Sequence, residues 1–183
     1  YSAAEWALTN RHMSGTSTDA NVFSPQVSAT RGMLVQVLYN IEGRPDVSDL
    51  KNPFTDVAKG QWYTDAVIWA YNNKVVAGVT STTYEPLSSI TREQFTTILY
   101  RYAKDVKKYD VSYDTKISLS IFADKNSIES YAQEPIKFGI DTGFISGSKD
   151  NGVLNMNPKK GTTRAEMASM IMRFMEAEHT PAK

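Results

Sequence analysis

Cysteine is absent from this chain, and its absence removes a disulfide framework, a thiolate metal site and a cysteine nucleophile together. Histidine occurs only as His12 and His179, so neither a zinc cluster nor a Ser-His-Asp set has the residues or the spacing it needs, and no residue pattern calls for a cofactor. Net charge is missing too. The 20 Lys and Arg balance 20 Asp and Glu, which argues against nucleic acid or any other polyanion held by bulk attraction. An anionic ligand has to be held locally. No run approaches the roughly 18 consecutive apolar residues of a membrane span, and the first residues lack the basic and apolar regions of a signal peptide. The start at Tyr1 without methionine reads as a processed or excised fragment.

What the sequence does have is apolar content and internal repetition. Hydrophobic residues make up 41% and aromatics 11% of 183 residues, enough apolar surface to offset the entropy of ordering the chain. The middle of the sequence runs Phe54-x-Asp56, Trp62-Tyr63, Ala66-Val67, Trp69-Ala70, Gly78, Tyr84-x-Pro86, Ile90-Thr91-Arg92-Glu93-Gln94-Phe95 and Ile98-Leu99-Tyr100-Arg101. Toward the C-terminus the landmarks return as Phe122-x-Asp124, Tyr131, Ile136, Phe138-Gly139, Gly147, Met156-x-Pro158, Thr163-Arg164-Ala165-Glu166-Met167 and Ile171-Met172-Arg173-Phe174. Toward the N-terminus they are Trp6-Ala7, Gly15, Phe23-x-Pro25, Thr30-Arg31-Gly32-Met33-Leu34 and Val37-Leu38-Tyr39. Thr30 and Thr91 are 61 residues apart, as are Pro25 and Pro86, and the next interval is 72 for both landmarks. The units fall at 1–43, which lacks the opening Phe-x-Asp segment, 44–103 and 121–178, with the polar stretch 104–120 as a linker.

Each unit reads as helix, loop, helix. Ala66, Val67, Trp69 and Ala70 share one face of a first helix, and Trp69 and Trp6 read as core. A second helix opens at the Thr-Arg pair, with Phe95, Ile98, Leu99 and Tyr102 in one copy and Met167, Met170, Ile171 and Phe174 in another following the i, i+3, i+4, i+7 pattern. Neither helix buries its stripe alone. Three second helices about a pseudo-threefold axis give one shared core, so the expected class is all-α.

The helix starts contain two different messages. Thr91 with Gln94 and Thr163 with Glu166 have capping-box spacing, whereas Met33 removes the reciprocal half beside Thr30. Arg31, Arg92 and Arg164 stand at the first helical position, where the dipole disfavours a cation by roughly 0.3–1 kcal/mol at an exposed site. An anionic partner is therefore needed. It is either a carboxylate such as Asp56 or Asp124 or a ligand acid held by guanidinium and helix N–H groups together.

Other residues are open to two readings. Trp62 and Tyr131 stand just ahead of a first helix, placed for packing or for stacking on a sugar. Gly15-Thr16, Gly78-Val79-Thr80 and Gly147-Ser148 read as helix C-caps with polar neighbours, or as places of close backbone approach to a ligand. Lys149-Asp150-Asn151-Gly152 lacks the acidic spacing of a calcium loop and reads as a turn. Carboxylates are scattered, and none is singled out as a catalytic pair.

These landmarks resemble the S-layer homology domain family, whose hallmark Ile-Thr-Arg-Ala-Glu is matched by Ile90-Thr91-Arg92-Glu93-Gln94 and Thr162-Thr163-Arg164-Ala165-Glu166, and more weakly by Ala29-Thr30-Arg31-Gly32-Met33. The resemblance covers nearly the whole chain. It implies a three-lobed spindle around a central three-helix bundle, a non-catalytic extracellular module that holds a bacterial surface protein to the cell wall. Its implied partner is secondary cell-wall polysaccharide, often ending in a pyruvylated amino sugar and bound in grooves between repeats. By position, Arg31, Arg92 and Arg164 would take the acid; Asp56 and Asp124 would order the groove or bond sugar hydroxyls. Trp62 and Tyr131 would pack on the sugar, and Thr16, Thr80 and Ser148 with Gly15, Gly78 and Gly147 would add polar contacts. Two grooves are expected to be fully furnished, one with Asp56 and Trp62, the other with Asp124 and Tyr131. The competing roles are self-assembly or binding of another surface protein, and hydrolysis of wall glycan.

Overall fold

The computed structural model describes residues 2–17 and 22–182, which hold six α-helices: α1 Ala3–Thr9, α2 Arg31–Ile41, α3 Thr64–Asn72, α4 Arg92–Arg101, α5 Gln133–Asp141 and α6 Arg164–Glu176. A short antiparallel hairpin, β1 Ser148–Asp150 with β2 Val153–Asn155, corrects the all-α expectation. Its turn is the Asp150-Asn151-Gly152 stretch, where Asn151 and Gly152 take positive φ, so the residues read as a turn close a β-hairpin. No helix among the described residues is long and apolar enough to cross a membrane.

Local chemistry sets the helix starts. Thr91 accepts from the Gln94 N–H while Gln94 returns to the Thr91 N–H, and Thr163 and Glu166 do the same. Thr30 accepts from Met33 without the return bond. The first helices end differently: Arg11, Lys74 and Gly143 adopt left-handed conformations just past α1, α3 and α5. Bonds from Met13, Val76 and Ile145 back to Ala7, Ala70 and Gly139 complete the caps. Gly15, Gly78 and Gly147 therefore are not helix caps; each lies further along the loop.

The apolar stripes are buried as the spacing predicts: Phe95, Ile98, Leu99, Tyr102, Met167, Met170, Ile171 and Phe174 all belong to one core, each worth about 2 kcal/mol of burial. Trp69 is buried among them, whereas Trp6 is half-buried and lies against the His12 ring at 5.0 Å.

The order of packing is the less expected feature. Each second helix lies on the first helix of the following unit, α2 on α3 and α4 on α5, and α6 closes back on α1. A ring of three backbone hydrogen bonds repeats the cycle at the helix starts: Ala29 N–H to the Thr162 carbonyl at 2.8 Å, Thr162 to Ile90 at 2.9 Å and Ile90 to Ala29 at 3.0 Å. At the opposite ends Tyr102 donates to the Glu42 carboxylate and packs on Phe174. The 104–120 stretch is less loose than its polarity implies. α4 continues as a π-helical turn to Val106, and Tyr109 then stacks on His179 at 4.3 Å while Asp110 N–H donates to the Thr180 carbonyl.

Burial pushes the phenols of Tyr84 and Tyr102 above the ordinary value of 10.0, helped at Tyr102 by its bond to Glu42. The folded protein thus keeps two protons that the unfolded chain releases above that pH. Their contribution is complete below pH 10 and falls as pH rises beyond it, by about 1.4 kcal/mol per unit for each phenol. Urea midpoints measured across that range are expected to drop steeply, and less steeply in Tyr102→Phe.

Candidate functional site

The recurring landmarks build one joint, and the joint spans units. Phe54 presses on Gly78, where a Cβ would meet the Phe54 ring at 2.7 Å and the Thr80 carbonyl at 2.1 Å; Phe122 presses on Gly147 at 2.5 Å. Glycine is required here by close approach. Two residues after the Phe, Asp56 accepts from the N–H groups of Tyr84 at 2.9 Å and Glu85 at 2.7 Å, and Asp124 accepts from Met156 and Asn157 at the same two distances. The residues so held, Glu85 and Asn157, have φ of 58° and 55° immediately before proline, and Ser24 before Pro25 has 51°.

The tight turn then points its carbonyls at a helix start of the preceding unit. Gly32 N–H donates to the Pro86 carbonyl at 2.7 Å and Arg31 N–H to Ser88 at 3.0 Å. Glu93 and Arg92 dock likewise on Pro158 and Lys160, and Ala165 and Arg164 on Pro25 and Val27. This corrects two expectations. Asp56 and Asp124 do not bridge to arginine, because backbone N–H groups occupy them. The first N–H groups of α2, α4 and α6 are not open to a ligand acid, because loop carbonyls fill them.

The three arginines are seams between units. Arg31 Nε donates to the Tyr84 carbonyl at 2.8 Å, with its guanidinium 4.6 Å from the Tyr84 ring centre. Arg164 donates from Nε to Phe23 at 2.9 Å and from Nη2 to Ser14 at 2.6 Å, and lies 4.9 Å from the Phe23 ring. Arg92 donates to Ser146 at 2.6 Å, but Met156 replaces the aromatic on its seam and its buried Nε has no partner. Burial accordingly pulls the Arg92 pKa down. Among the described residues no arginine makes an ion pair; all five pairs use lysine.

Among the described residues, two of the grooves that result each bring together residues from the first, middle and last parts of the chain. Groove 1, about 490 Å³, is lined by Arg164, by Gly15 and Thr16, by one side of α2 and by Trp62. Groove 2, about 250 Å³, is lined by Arg31, by Gly78 and Val79, by one side of α4 and by Tyr131. Trp62 is 52% exposed and Tyr131 48%. The groupings differ from those the spacing suggests: Trp62 lines its groove with Arg164 and Tyr131 lines its groove with Arg31, while Asp56 and Asp124 line neither of these two grooves and order the turns behind them. Thr80 and Ser148 hold loops instead, Thr80 through Thr83 at 2.7 Å and Ser148 through Asn157 at 2.8 Å. Gly147, Ser148 and Arg92 line neither groove.

Three residues that sequence reasoning did not single out complete the picture. Arg44 lines groove 1 and Arg101 groove 2. Arg101 had a readable signal, since Arg173 recurs at the aligned position; Arg44 had none. Glu93 is buried at 3% exposure, pairs with Lys159 at 2.6 Å and accepts from the Tyr131 hydroxyl at 3.2 Å, which fixes the groove 2 aromatic. Desolvation, with Glu93 next, raises the Tyr131 pKa. Among the described residues no cluster of three or more His, Asp or Glu is placed to hold a metal.

The architecture is that of a helical repeat module in which each unit's loop locks the helix start of its neighbour, leaving arginine-lined grooves between them. A model of the S-layer homology domain matches residues 53–96 and 121–168, just over half of the chain, and the chain belongs to that family. It is similar to the surface-layer 125 kDa protein of Lysinibacillus sphaericus, 29% identical over 162 residues, covering 86% of this chain and 13% of that protein. It is also similar to the cellulosome-anchoring protein of Acetivibrio thermocellus, 26% identical over 158 residues, 85% of this chain and 34% of the relative. The amylopullulanase of Thermoanaerobacterium thermosulfurigenes is 28% identical over 169 residues, 92% of this chain but 9% of that enzyme. The chain thus spans about a third or less of these relatives.

Proposed function

We propose that this chain is a cell-wall anchoring module that binds an anionic wall polysaccharide, such as one carrying a pyruvylated amino sugar, in grooves 1 and 2. One observation carries the reading: each groove is lined by two arginines and one half-exposed aromatic, and by no aspartate or glutamate, in a chain whose formal charge is zero. Guanidinium holds an acid, an aromatic face covers the apolar side of a sugar, and exclusion of carboxylates prevents self-neutralisation. The names of the surface-layer and cellulosome-anchoring relatives support a bacterial surface setting. Residues 1–43 act as a third repeat in a pseudo-threefold spindle with 44–103 and 121–178, joined by 104–120. The cyclic seams of Arg31, Arg92 and Arg164 support that arrangement. Catalysis, where a parent protein has it, belongs to other domains.

Retention on purified wall sacculi tests the reading. Binding is expected to intact sacculi and to fall about tenfold or more once the wall polysaccharide has been extracted chemically. Retention that survives extraction would assign the grooves to a protein partner instead.

A further inference from the structure

Each groove carries a second arginine that the seams do not require. In groove 2 it is Arg101, in the last turn of α4. In groove 1 the aligned position, 61 residues earlier, is Asn40, which brings no charge. Asn40 instead accepts at Oδ1 from Arg44 Nε at 2.8 Å and from Gln36 at 2.9 Å, while its amide donates to the His12 carbonyl at 2.9 Å. The Gln36–Asn40 pair thereby fixes Arg44, which comes from the turn after α2 at φ 57°, against the same groove. Two unrelated sequence positions arrive at one arrangement: a buried inner arginine that donates to backbone carbonyl oxygen, and a less buried rim arginine lining the same groove.

Neither rim arginine has a carboxylate within ion-pair distance among the described residues, and no aspartate or glutamate lines either groove, so each leaves its charge for a groove ligand. A single ligand acid compensates the inner guanidinium and leaves the other unmatched. We infer that the glycan segment each groove takes carries two acidic groups, carboxylate or phosphate. The inner arginine, Arg164 or Arg31, holds one, and the rim arginine, Arg44 or Arg101, reads the second as the specificity-determining contact. The inference rests on the wall-glycan reading above and adds the charge of the ligand to it.

The test uses the full chain, the Arg44→Gln/Arg101→Gln variant and sacculi of the bacterium that makes the protein. The variant is expected to melt like wild type and to bind about tenfold or more weakly. Phosphatase, which removes phosphate monoesters and leaves the polymer attached, and partial carbodiimide amidation, which neutralises carboxylates, identify the second acid: the treatment that removes it abolishes the difference between variant and wild type while wild type still binds. In an Arg31→Lys or an Arg164→Lys background, whichever keeps the wild-type circular dichroism spectrum, the rim penalty is expected to persist undiminished on a logarithmic scale, because the two arginines grip different acids. A variant that binds within about twofold of wild type overturns the two-acid inference. So does a penalty untouched by both treatments, or one that shrinks by more than half in the lysine background. Wild type that fails to bind untreated sacculi overturns the wall-glycan reading as well, which separates the two failures.

Discussion

Replacing Asp56 with alanine is expected to destabilise the protein by about 2–4 kcal/mol and to weaken wall binding in the same variant. The carboxylate accepts from two consecutive N–H groups, those of Tyr84 and Glu85, and its loss leaves both without a partner in a turn that Pro86 makes awkward. The turn is also the dock for α2: its Tyr84 carbonyl holds Arg31 and its Pro86 carbonyl holds Gly32. Relaxing it therefore unfastens the seam and displaces the inner arginine of groove 2 together. Urea unfolding followed by circular dichroism gives the stability and sacculus retention gives the binding. Asp56→Asn keeps one acceptor oxygen and should lie between wild type and alanine. A fully stable Asp56→Ala would contradict the role assigned to the Phe-x-Asp segment.

The double variant Trp62→Ala/Tyr131→Ala is expected to show the opposite balance: a loss of about 1–2 kcal/mol in stability, mostly from the Tyr131 bond to buried Glu93, and a loss of roughly a hundredfold in sacculus binding. Each ring is about half exposed, so truncation removes little core. Each also supplies the apolar face of its groove, and loss of about tenfold per groove multiplies when both grooves engage one polymer. Either single variant should lose only its own groove's share. Arg31 and Arg164 separate from this class, because at 7% and 5% exposure they are packed into the seams, and their removal affects folding as well as binding.

What was legible in the sequence was local. The capping boxes at Thr91 and Thr163, the incomplete cap at Thr30 and the buried stripes of α4 and α6 follow from spacing within one helix, where three and four residues define neighbours. The grooves were not legible because their members come from distant parts of the chain. Spacing placed Trp62 near Asp56, yet docking of α2 on α3 carries Trp62 to the groove lined by Arg164 at the start of α6. The aspartates looked like groove residues because an acid beside a recurrent arginine invites an ion pair. Backbone N–H groups in a left-handed turn compete for the same carboxylate and win, a contact that depends on a turn conformation and not on residue type. Arg44 escaped notice since only Asn40, itself fixed through His12 and Gln36, brings it to the groove.

The central claim is that grooves 1 and 2 hold a wall-glycan acid, and a crystal structure of the chain with a fragment released from its own wall polysaccharide tests it most directly. The expected density places an acidic group within hydrogen-bond distance of Arg31 or Arg164, with the sugar against Tyr131 or Trp62. A fragment bound elsewhere, with both grooves holding only solvent, would contradict it.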